Sequence, residues 1–163
     1  MTEFNTAYIG LGSNLGEPLD QIRQALQELA QLPDTRMLRH SSLYRSDPVG
    51  PPGQPDYINA VALLKTRLTP LQLLDVLQAL EQTHQRVRRQ HWGPRTLDLD
   101  ILLYAQVHCN EARLTLPHPY LYARSFVLAP LAEIAPELVL PNGRNITQAL
   151  SECPMGLPDR LGL

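Results

Sequence analysis

The sequence predicts a single α/β domain, and three observations support that prediction. At 163 residues the chain is about as long as one domain. Segments with the two-residue alternation of strands take turns with segments that have the 3.6-residue spacing of helices. The chain has fifteen prolines, and clusters of them at 48–55 and 117–119 predict ordered but irregular loops and not a linker between domains.

The order of the elements gives the architecture. The predicted elements are strand 7–11, helix 18–32, irregular edge strand 37–44, strand 57–64, a helix from 69 to about 86, and strand 98–104. The second helix has the clearest start, because Thr69 and Gln72 form a capping box around a proline at the first helical position. This β-α-β-β-α-β order is the split βαβ, or ferredoxin-like, pattern, for which we expect helices on both faces of the sheet.

A C-terminal extension of strands and helices is predicted beyond residue 104. Residues 113–116 predict a strand, a helix begins at Ser125 and is stopped by Pro136, and a short helix covers 145–153. The last segment, about 155–163, has little to bury and is expected to be loose. The domain is therefore predicted to span residues 1–163 with this loose tail.

The positions of the glycines and of the single lysine argue against two common nucleotide-binding motifs, the dinucleotide fingerprint and the P-loop. Gly10 and Gly12 resemble the start of a dinucleotide fingerprint, but the third glycine, Gly16, falls one place late. A tight turn into the next helix is the preferred interpretation. A P-loop needs a lysine after glycine, and the only lysine, Lys65, follows a leucine. Arginines must therefore bind any phosphates.

Composition limits the classes of partner. The net charge of −2 argues against general attraction to nucleic acid or membranes. No apolar stretch approaches membrane length and the start of the chain does not resemble a signal peptide, so the cytoplasm is the expected location. Cys109 and Cys153 form no C-x-x-C motif and are read as free thiols.

The segment 86–101 carries the chemistry. Asp98 and Asp100 alternate with leucines and Ile101, so both carboxylates leave the same face of a strand. Mg²⁺ is typically held by one or two carboxylates together with water and substrate phosphates. Just upstream, the planar donors that match phosphate geometry are supplied by Arg86, Arg88, Arg89 and Arg95.

On spacing alone, a surface strand whose aspartates pair with nearby arginines explains this segment equally well. Trp92 favours a binding site, since a tryptophan in a basic loop is costly to expose and useful for stacking on a flat ligand.

The run R-V-R-x-x-x-W-G-P-R-T-L-D-L-D-I at 86–101 resembles the signature of the 6-hydroxymethyl-7,8-dihydropterin pyrophosphokinase family. Weaker matches extend over most of the chain: G-S-N-L at 12–15, Q-P-D-Y-I-N at 54–59 and L-P-H-P at 116–119. The resemblance implies an enzyme of folate biosynthesis that transfers the diphosphate of ATP to the pterin hydroxymethyl group and releases AMP. It also implies a single catalytic domain that binds two Mg²⁺ with ATP and reduced pterin, and we expect a monomer.

The resemblance implies roles residue by residue. Catalytic roles fall on Arg86, Arg95, Asp98 and Asp100, of which the two aspartates are the metal ligands. ATP contacts fall on Leu74, Gln78, Arg88, Trp92, Arg95, Ile101, Arg113, Thr115, His118 and Arg124. Pterin contacts fall on Ser46, Pro48, Val49, Tyr57, Asn59, Trp92 and Phe126.

Some positions depart from the family pattern or have a simpler explanation. Asp47 stands where the family has a Thr-Pro-Pro-Leu-like loop, Pro119 replaces a tyrosine, and the arginine loop is one residue shorter than in a common form. Glu81 matches an acid near the substrate, although an outward-facing helix glutamate is the commoner explanation.

Two other functions compete with this one. An RNA-binding RRM shares the β-α-β-β-α-β order, but it needs a strand with exposed aromatics, and the corresponding strand reads Y-I-N-A-V-A-L-L. A kinase that transfers the γ-phosphoryl group is excluded only by the resemblance. The nucleotide product distinguishes the two enzymes: diphosphate transfer releases AMP, whereas γ-phosphoryl transfer releases ADP.

Overall fold

The computed structural model describes residues 3–14, 17–47, 53, 55–88 and 97–162, and for 85–88 it describes the backbone alone. Its elements are β1 (Asn5–Ser13), α1 (Pro18–Leu29), β2 (Thr35–His40), β3 (Tyr44–Ser46), β4 (Tyr57–Thr66), α2 (Pro70–Arg88), β5 (Asp98–Tyr104), β6 (Cys109–Asn110), β7 (Thr115–Leu116), α3 (Ser125–Ile134), α4 (Ile146–Glu152) and β8 (Asp159–Arg160). The predicted sequence of helices and strands is present, and the strand before β4 is divided in two.

The main sheet is antiparallel in all its described pairings. Its order is β5-β1-β4-β3-β8, and β2 also pairs with β4. A separate two-stranded sheet is formed by β6 and β7. Because β1 occupies one edge of β4, β2 and β3 share the other edge, β2 opposite residues 62–66 and β3 opposite 57–59.

The division between β2 and β3 has a local cause. At Ser41 the backbone N–H donates to Val61 O at 2.8 Å, while its hydroxyl accepts from Val61 N at 2.9 Å. Ser41 therefore hydrogen-bonds to both the N–H and the C=O of Val61, and the regular ladder of strand hydrogen bonds stops there. The ladder of β2 is already irregular, since its register shifts between Met37 and Arg39. The irregular strand predicted over 37–44 is thus two short strands.

Helices cover both faces of the sheet, because the strands are apolar on both sides. Alternate residues of β4 divide between two buried clusters: Ala60 and Ala62 join the cluster beneath α1 and α2, whereas Val61 and Leu63 join that beneath α3 and α4. A strand buried on both faces shows a nearly continuous apolar run. Among the described residues, no helix is long and apolar enough to cross a membrane.

The start of α2 follows the sequence signal. Thr69 N donates to Gln72 Oε1 at 2.9 Å, and Gln72 N donates to Thr69 Oγ1 at 3.2 Å. The reciprocal bonds satisfy two of the backbone donors that a helix N-terminus leaves open. A similar cap begins α4, where Asn145 Oδ1 accepts from Thr147 N at 2.8 Å.

Two expectations about this fold are wrong. Gly12 does not begin the turn after a strand of 7–11, because β1 continues through it to Ser13. The C-terminal segment is not without packing, because β8 pairs with β3 and Leu161 packs against the cluster beneath α1 and α2. Both signals were weak in sequence: glycine is a poor strand former, and two-residue strands have no periodicity.

Candidate active site

A cleft of about 290 Å³ opens where β1 ends and β4 and β5 begin, beside the start of α3. Its floor is provided by the strands, and its further walls by Asp47, His118 and residues of α3. Eight residues that sequence reasoning and resemblance placed in the site or its loop line the cleft: Asp47, Tyr57, Asn59, Asp98, Asp100, His118, Arg124 and Phe126.

The two aspartates follow the predicted alternation. Asp98 and Asp100 are partly exposed to the cleft, whereas Leu97, Leu99 and Ile101 are at most 4% exposed. The alternating positions place both carboxylates on one face of β5. Asp98 is opposite Gly12 of β1, and Asp100 is opposite Gly10.

The strand register places glycine between functional side chains. Gly12 is opposite Asp98 of β5 on one side and Asn59 of β4 on the other. Two strand spacings separate such positions by roughly 9–10 Å. A Cβ added to Gly12 would lie 3.2 Å from Asn59 Nδ2. The absent side chain therefore leaves the floor of the cleft open between the amide and the carboxylate.

The amide of Asn59 is held in one orientation. Ser46 Oγ donates to Asn59 Oδ1 at 2.7 Å, and Asn59 is 5% exposed. With Oδ1 engaged, Nδ2 is the group on the side of Gly12 and the cleft. Ser46 thus acts on the cleft through Asn59 rather than by lining it.

Two aromatic residues line the same cleft from separate elements. Tyr57 is the first residue of β4, and Phe126 lies in the first turn of α3. Both are partly buried, so each keeps part of its ring available. Aromatic rings with a fixed amide nearby are suited to a flat ligand with polar edges.

His118 faces the carboxylate of Asp100. The backbone N–H of His118 donates to Leu102 O at 3.0 Å, and the ring Nδ1 accepts from Tyr120 N at 3.2 Å. When the ring is neutral, the proton is therefore on Nε2, which lies 3.8 Å from Asp100 Oδ2. Burial lowers the pKa of His118; the charge of Asp100 opposes this and the charge of Arg124 adds to it.

Arg124 supplies positive charge at the mouth of the cleft. Its guanidinium lies 4.6 Å from the ring centre of Tyr120 and 5.6 Å from that of Phe126. Cation–π contacts of this kind hold the planar group in place without neutralising it. Tyr120 is 55% exposed and was not singled out by sequence reasoning, which treated the neighbouring Pro119 as a lost contact.

His118 and Arg124 line the cleft, but the other described residues assigned to the nucleotide side do not. Leu74 and Ile101 are buried in the core and do not line the described cleft. Arg113 is exposed and donates to Asp75 Oδ1 at 2.6 Å and to Gln78 Oε1 at 3.1 Å. These bonds connect the segment before β7 to α2. Thr115 is partly buried in β7. The remaining predicted positions lie outside the described side chains: Pro48, Val49, Arg86, Arg88, Arg89, Trp92 and Arg95.

Glu81 is buried, so its interpretation as an outward-facing helix glutamate is wrong. It is 8% exposed, and its Oε2 accepts from the backbone N–H of Leu99 at 2.7 Å. A signal was available in the sequence: Glu81 is four residues after Leu77, which is fully buried on the inner face of α2.

The carboxylate pair could hold a hard cation. Among the described residues no group of three or more His, Cys, Asp or Glu side chains is placed to hold a metal ion. Two carboxylates without a complete protein cage are the donor set from which Mg²⁺ binds together with water and phosphate oxygens. In the described lining of the cleft, Asp47, Asp98 and Asp100 outnumber the guanidinium of Arg124, so the cleft favours a cation.

Comparisons with known proteins show the family of the chain. A sequence model of the family described as 7,8-dihydro-6-hydroxymethylpterin-pyrophosphokinase (HPPK) matches residues 8–136. Two curated relatives are named 2-amino-4-hydroxy-6-hydroxymethyldihydropteridine pyrophosphokinase. That of Pseudomonas aeruginosa is 52% identical over 154 residues, covering 94% of this chain and 95% of the relative. That of Haemophilus influenzae is 52% identical over 147 residues, covering 90% and 92%.

Solved structures with a similar fold come from Plasmodium falciparum. HPPK-DHPS A437G with STZ-DHP has a TM-score of 0.73 at 14% identity, covering 93% of this chain and 46% of that chain. Wild-type HPPK-DHPS with pteroate has a TM-score of 0.72 at 14% identity, covering 93% and 43%. The chain therefore spans less than half of these plasmodial chains, and the likeness shows the fold alone.

The sheet and helices form a ferredoxin-like α/β fold, and the family match defines the protein as a transferase. The chain belongs to the 7,8-dihydro-6-hydroxymethylpterin-pyrophosphokinase family, whose members are ATP-dependent diphosphotransferases of folate biosynthesis. The predictions of the fold class, the family and the class of enzyme are confirmed.

Proposed function

We propose that the described cleft is where the chain transfers the terminal diphosphate of ATP to 6-hydroxymethyl-7,8-dihydropterin. One observation carries this proposal: the two aspartates share a cleft with the aromatic rings of Tyr57 and Phe126 and the oriented amide of Asn59. A phosphate-transfer centre and a site for a flat heterocycle are thus adjacent.

The pterin binds on the Asn59 side. Its ring stacks against Tyr57 and Phe126, and Asn59 Nδ2 donates to an acceptor on the ring edge. Ser46 fixes this amide by donating to its Oδ1, so that the donor does not have to be reoriented when the pterin arrives. Pro48, Val49 and Trp92, which lie outside the described residues, are proposed as further pterin contacts.

The diphosphate lies on the Asp98 side. Asp98 and Asp100 would hold the two Mg²⁺ of the family, which when bound neutralise charge on the phosphates. Arg124 and the Nε2–H of His118 are placed to bind phosphate oxygens, and Arg86, Arg88 and Arg95 are proposed for the same task. Leu74, Gln78, Ile101, Arg113 and Thr115 are proposed for the adenosine side, with Arg113 held by Asp75 and Gln78.

The transfer is an in-line displacement. The hydroxymethyl oxygen forms a bond to the β-phosphorus, the bond from that phosphorus to the oxygen bridging to the α-phosphate breaks, and this oxygen leaves on AMP. The hydroxyl proton is released. The residues of the chain act by positioning the two reactants and by stabilising charge, which are the main sources of catalysis in phosphate transfer.

The experiment that tests the proposal is product analysis with ATP, Mg²⁺ and the reduced hydroxymethylpterin. We expect AMP and the pterin diphosphate in equal amounts by chromatography. ADP as the main nucleotide would contradict the proposal and indicate γ-phosphoryl transfer. Removal of Mg²⁺ with a chelator should abolish the transfer, and adding the ion back should restore it.

We further propose that the enzyme acts as a monomer in the cytoplasm, with small-molecule substrates and without nucleic acid or membrane partners. Sedimentation at several concentrations, with and without both substrates, tests the monomer. A mass of twice 18.3 kDa under assay conditions would contradict it.

A further inference from the structure

We infer that the C-terminal segment, residues 153–161, positions the pterin side of the cleft. The inference rests on the pterin role proposed above, and it concerns a part of the chain to which sequence reasoning gave no role. The segment is bonded to two elements that line or support the cleft, β3 and α3.

The first connection is made at β3. β8 pairs with it so that Arg160 is opposite Tyr44 and Asp159 is opposite Arg45. Just past β8, Leu161 N donates to Leu43 O at 2.9 Å. β3 would otherwise be an edge strand of only three residues, held by β4 alone. Pairing on both sides therefore fixes its position.

Side chains reinforce this connection. Arg160 Nε donates to Ser42 Oγ at 3.1 Å, and its Nη2 lies 3.3 Å from Glu133 Oε2. Glu133 of α3 also accepts from Ser42 N at 3.0 Å and from Tyr44 OH at 2.8 Å. One carboxylate thus joins β8, β3 and α3.

The second connection is made at the start of α3. Ser125 Oγ donates to Gly156 O at 2.6 Å, and Ser125 is 1% exposed. Ser125 stands between Arg124 and Phe126, which both line the cleft. The segment therefore bonds to the chain next to the aromatic wall.

The two connections converge on the pterin site. β3 ends with Ser46, which orients Asn59, and is followed by Asp47, which lines the cleft. α3 contributes Phe126. A displacement of either element would move a pterin contact, whereas Asp98 and Asp100 on β5 lie three strands away from β3 in the sheet order. The segment should therefore affect pterin binding more than nucleotide binding or the chemical step.

Substitutions in the full-length chain test this inference through separate Michaelis constants. Arg160→Ala removes the contacts with Ser42 and Glu133, and Ser125→Ala removes the bond to Gly156. Leu161→Pro removes the backbone N–H that donates to Leu43 O, and Leu161→Ala is its matched control because it keeps that N–H. Asp159→Asn, at an exposed neighbour on β8, is the control for changing the charge of the strand.

We expect the KM for pterin to rise about 3- to 10-fold in Arg160→Ala, Ser125→Ala and Leu161→Pro, as the loss of single hydrogen bonds implies. The kcat should stay within about twofold in all three variants, and so should the KM for ATP in Arg160→Ala and Leu161→Pro, which leave the bond beside Arg124 in place. In Ser125→Ala the KM for ATP should rise less than that for pterin, because Ser125 adjoins Arg124 as well as Phe126. Arg160→Lys should recover part of the loss. Leu161→Pro should exceed Leu161→Ala, and Asp159→Asn should match the wild type.

The outcomes separate this inference from the proposed function. Absence of AMP and pterin diphosphate with the wild-type enzyme overturns the proposed function itself. An active wild type whose folded variants keep the wild-type KM for pterin overturns the positioning role. A parallel change of kcat and both Michaelis constants also overturns it, since that pattern indicates a general loss of structure. If Leu161→Pro does not fold, Arg160→Ala and Ser125→Ala decide the question.

Discussion

Glu81 Oε2 accepts a hydrogen bond of 2.7 Å from the backbone N–H of Leu99. Leu99 is the residue between Asp98 and Asp100, and β5 is an edge strand of the main sheet. A buried carboxylate of α2 thus satisfies a backbone donor on the strand that carries both aspartates. This contact connects the helix preceding the arginine-rich segment to the proposed metal-binding strand.

Replacing Glu81 should affect activity and stability together. In Glu81→Ala the N–H of Leu99 loses this partner, and we expect the free energy of unfolding to fall by about 1–3 kcal/mol. We also expect kcat to fall roughly 10- to 100-fold, because the strand that positions Asp98 and Asp100 is no longer fixed. Denaturant unfolding and steady-state kinetics measure the two effects. Glu81→Gln keeps an acceptor and should retain more of the stability and more of the activity than Glu81→Ala. Equal losses in the two variants would contradict the positioning role.

The two aspartates are expected to be essential for turnover but dispensable for folding. Asp98→Ala and Asp100→Ala should each lower kcat by about 10²–10⁵-fold, the range for single electrostatic stabilisers. Circular dichroism should be unchanged, since these carboxylates face the cleft. Glu152→Ala, which removes an exposed carboxylate paired with Arg144, is the control. A folded aspartate variant within about threefold of wild type would refute the metal assignment.

Filling the gap in β1 should weaken pterin binding. In Gly12→Ala the new methyl group lies 3.2 Å from Asn59 Nδ2, which is fixed through Ser46. We expect the KM for pterin to rise about tenfold, the equivalent of one hydrogen bond. Gly10→Ala is the matched comparison, since its methyl group meets Leu102 Cδ2, the end of a flexible side chain. Its KM should stay within about threefold, and a larger effect than that of Gly12→Ala would argue against the amide contact.

The pH dependence of stability should report on Glu133. Burial raises the pKa of its carboxyl, but hydrogen bonds from Tyr44 and Ser42 and the charge of Arg160 together lower it below the ordinary value of 4.5. A group with a lowered pKa in the folded state stabilises the fold above its unfolded pKa, and this stabilisation is lost as the pH falls through the folded pKa. The same carboxylate contributes to raising the pKa of Tyr44 to about 12, after burial.

Glu133→Gln should therefore be less stable than the wild type by on the order of 1–3 kcal/mol near neutral pH. The difference should shrink as the pH falls below about 4.5, since the wild-type carboxyl then becomes protonated. Unfolding in denaturant at several pH values measures it. Glu137→Gln, at an exposed position just past α3, controls for the loss of charge. A difference between wild type and Glu133→Gln that is constant with pH would contradict the role of the ionised group.

Sequence reasoning succeeded where a local rule fixes the structure. The capping box of Thr69 and Gln72 places the start of α2, and the alternation around Asp98 and Asp100 places both carboxylates in the cleft. Both features depend on residues within a few positions of each other. The resemblance to a known family then supplied the reaction, which no periodicity or spacing could have given.

It failed where contacts join distant parts of the chain. The side of α2 on which Glu81 lies was judged from polarity, but its partner Leu99 is eighteen positions away. The pairing of β8 with β3 joins Arg160 to Tyr44 across most of the sequence. Gly12 carried an overlooked signal, because a glycine inside an apolar strand often marks a close approach by another group.

The β8 strand also has a consequence for the behaviour of the chain at high concentration. As the outer strand of the sheet it has two residues, both charged and exposed. Short charged edges are a common means by which sheets avoid joining to other sheets. A chain clipped by a protease before residue 159 would instead present the backbone of β3, beside the apolar Leu43 and Tyr44. We expect such a clipped form to aggregate, so that the last few residues also keep the protein in solution.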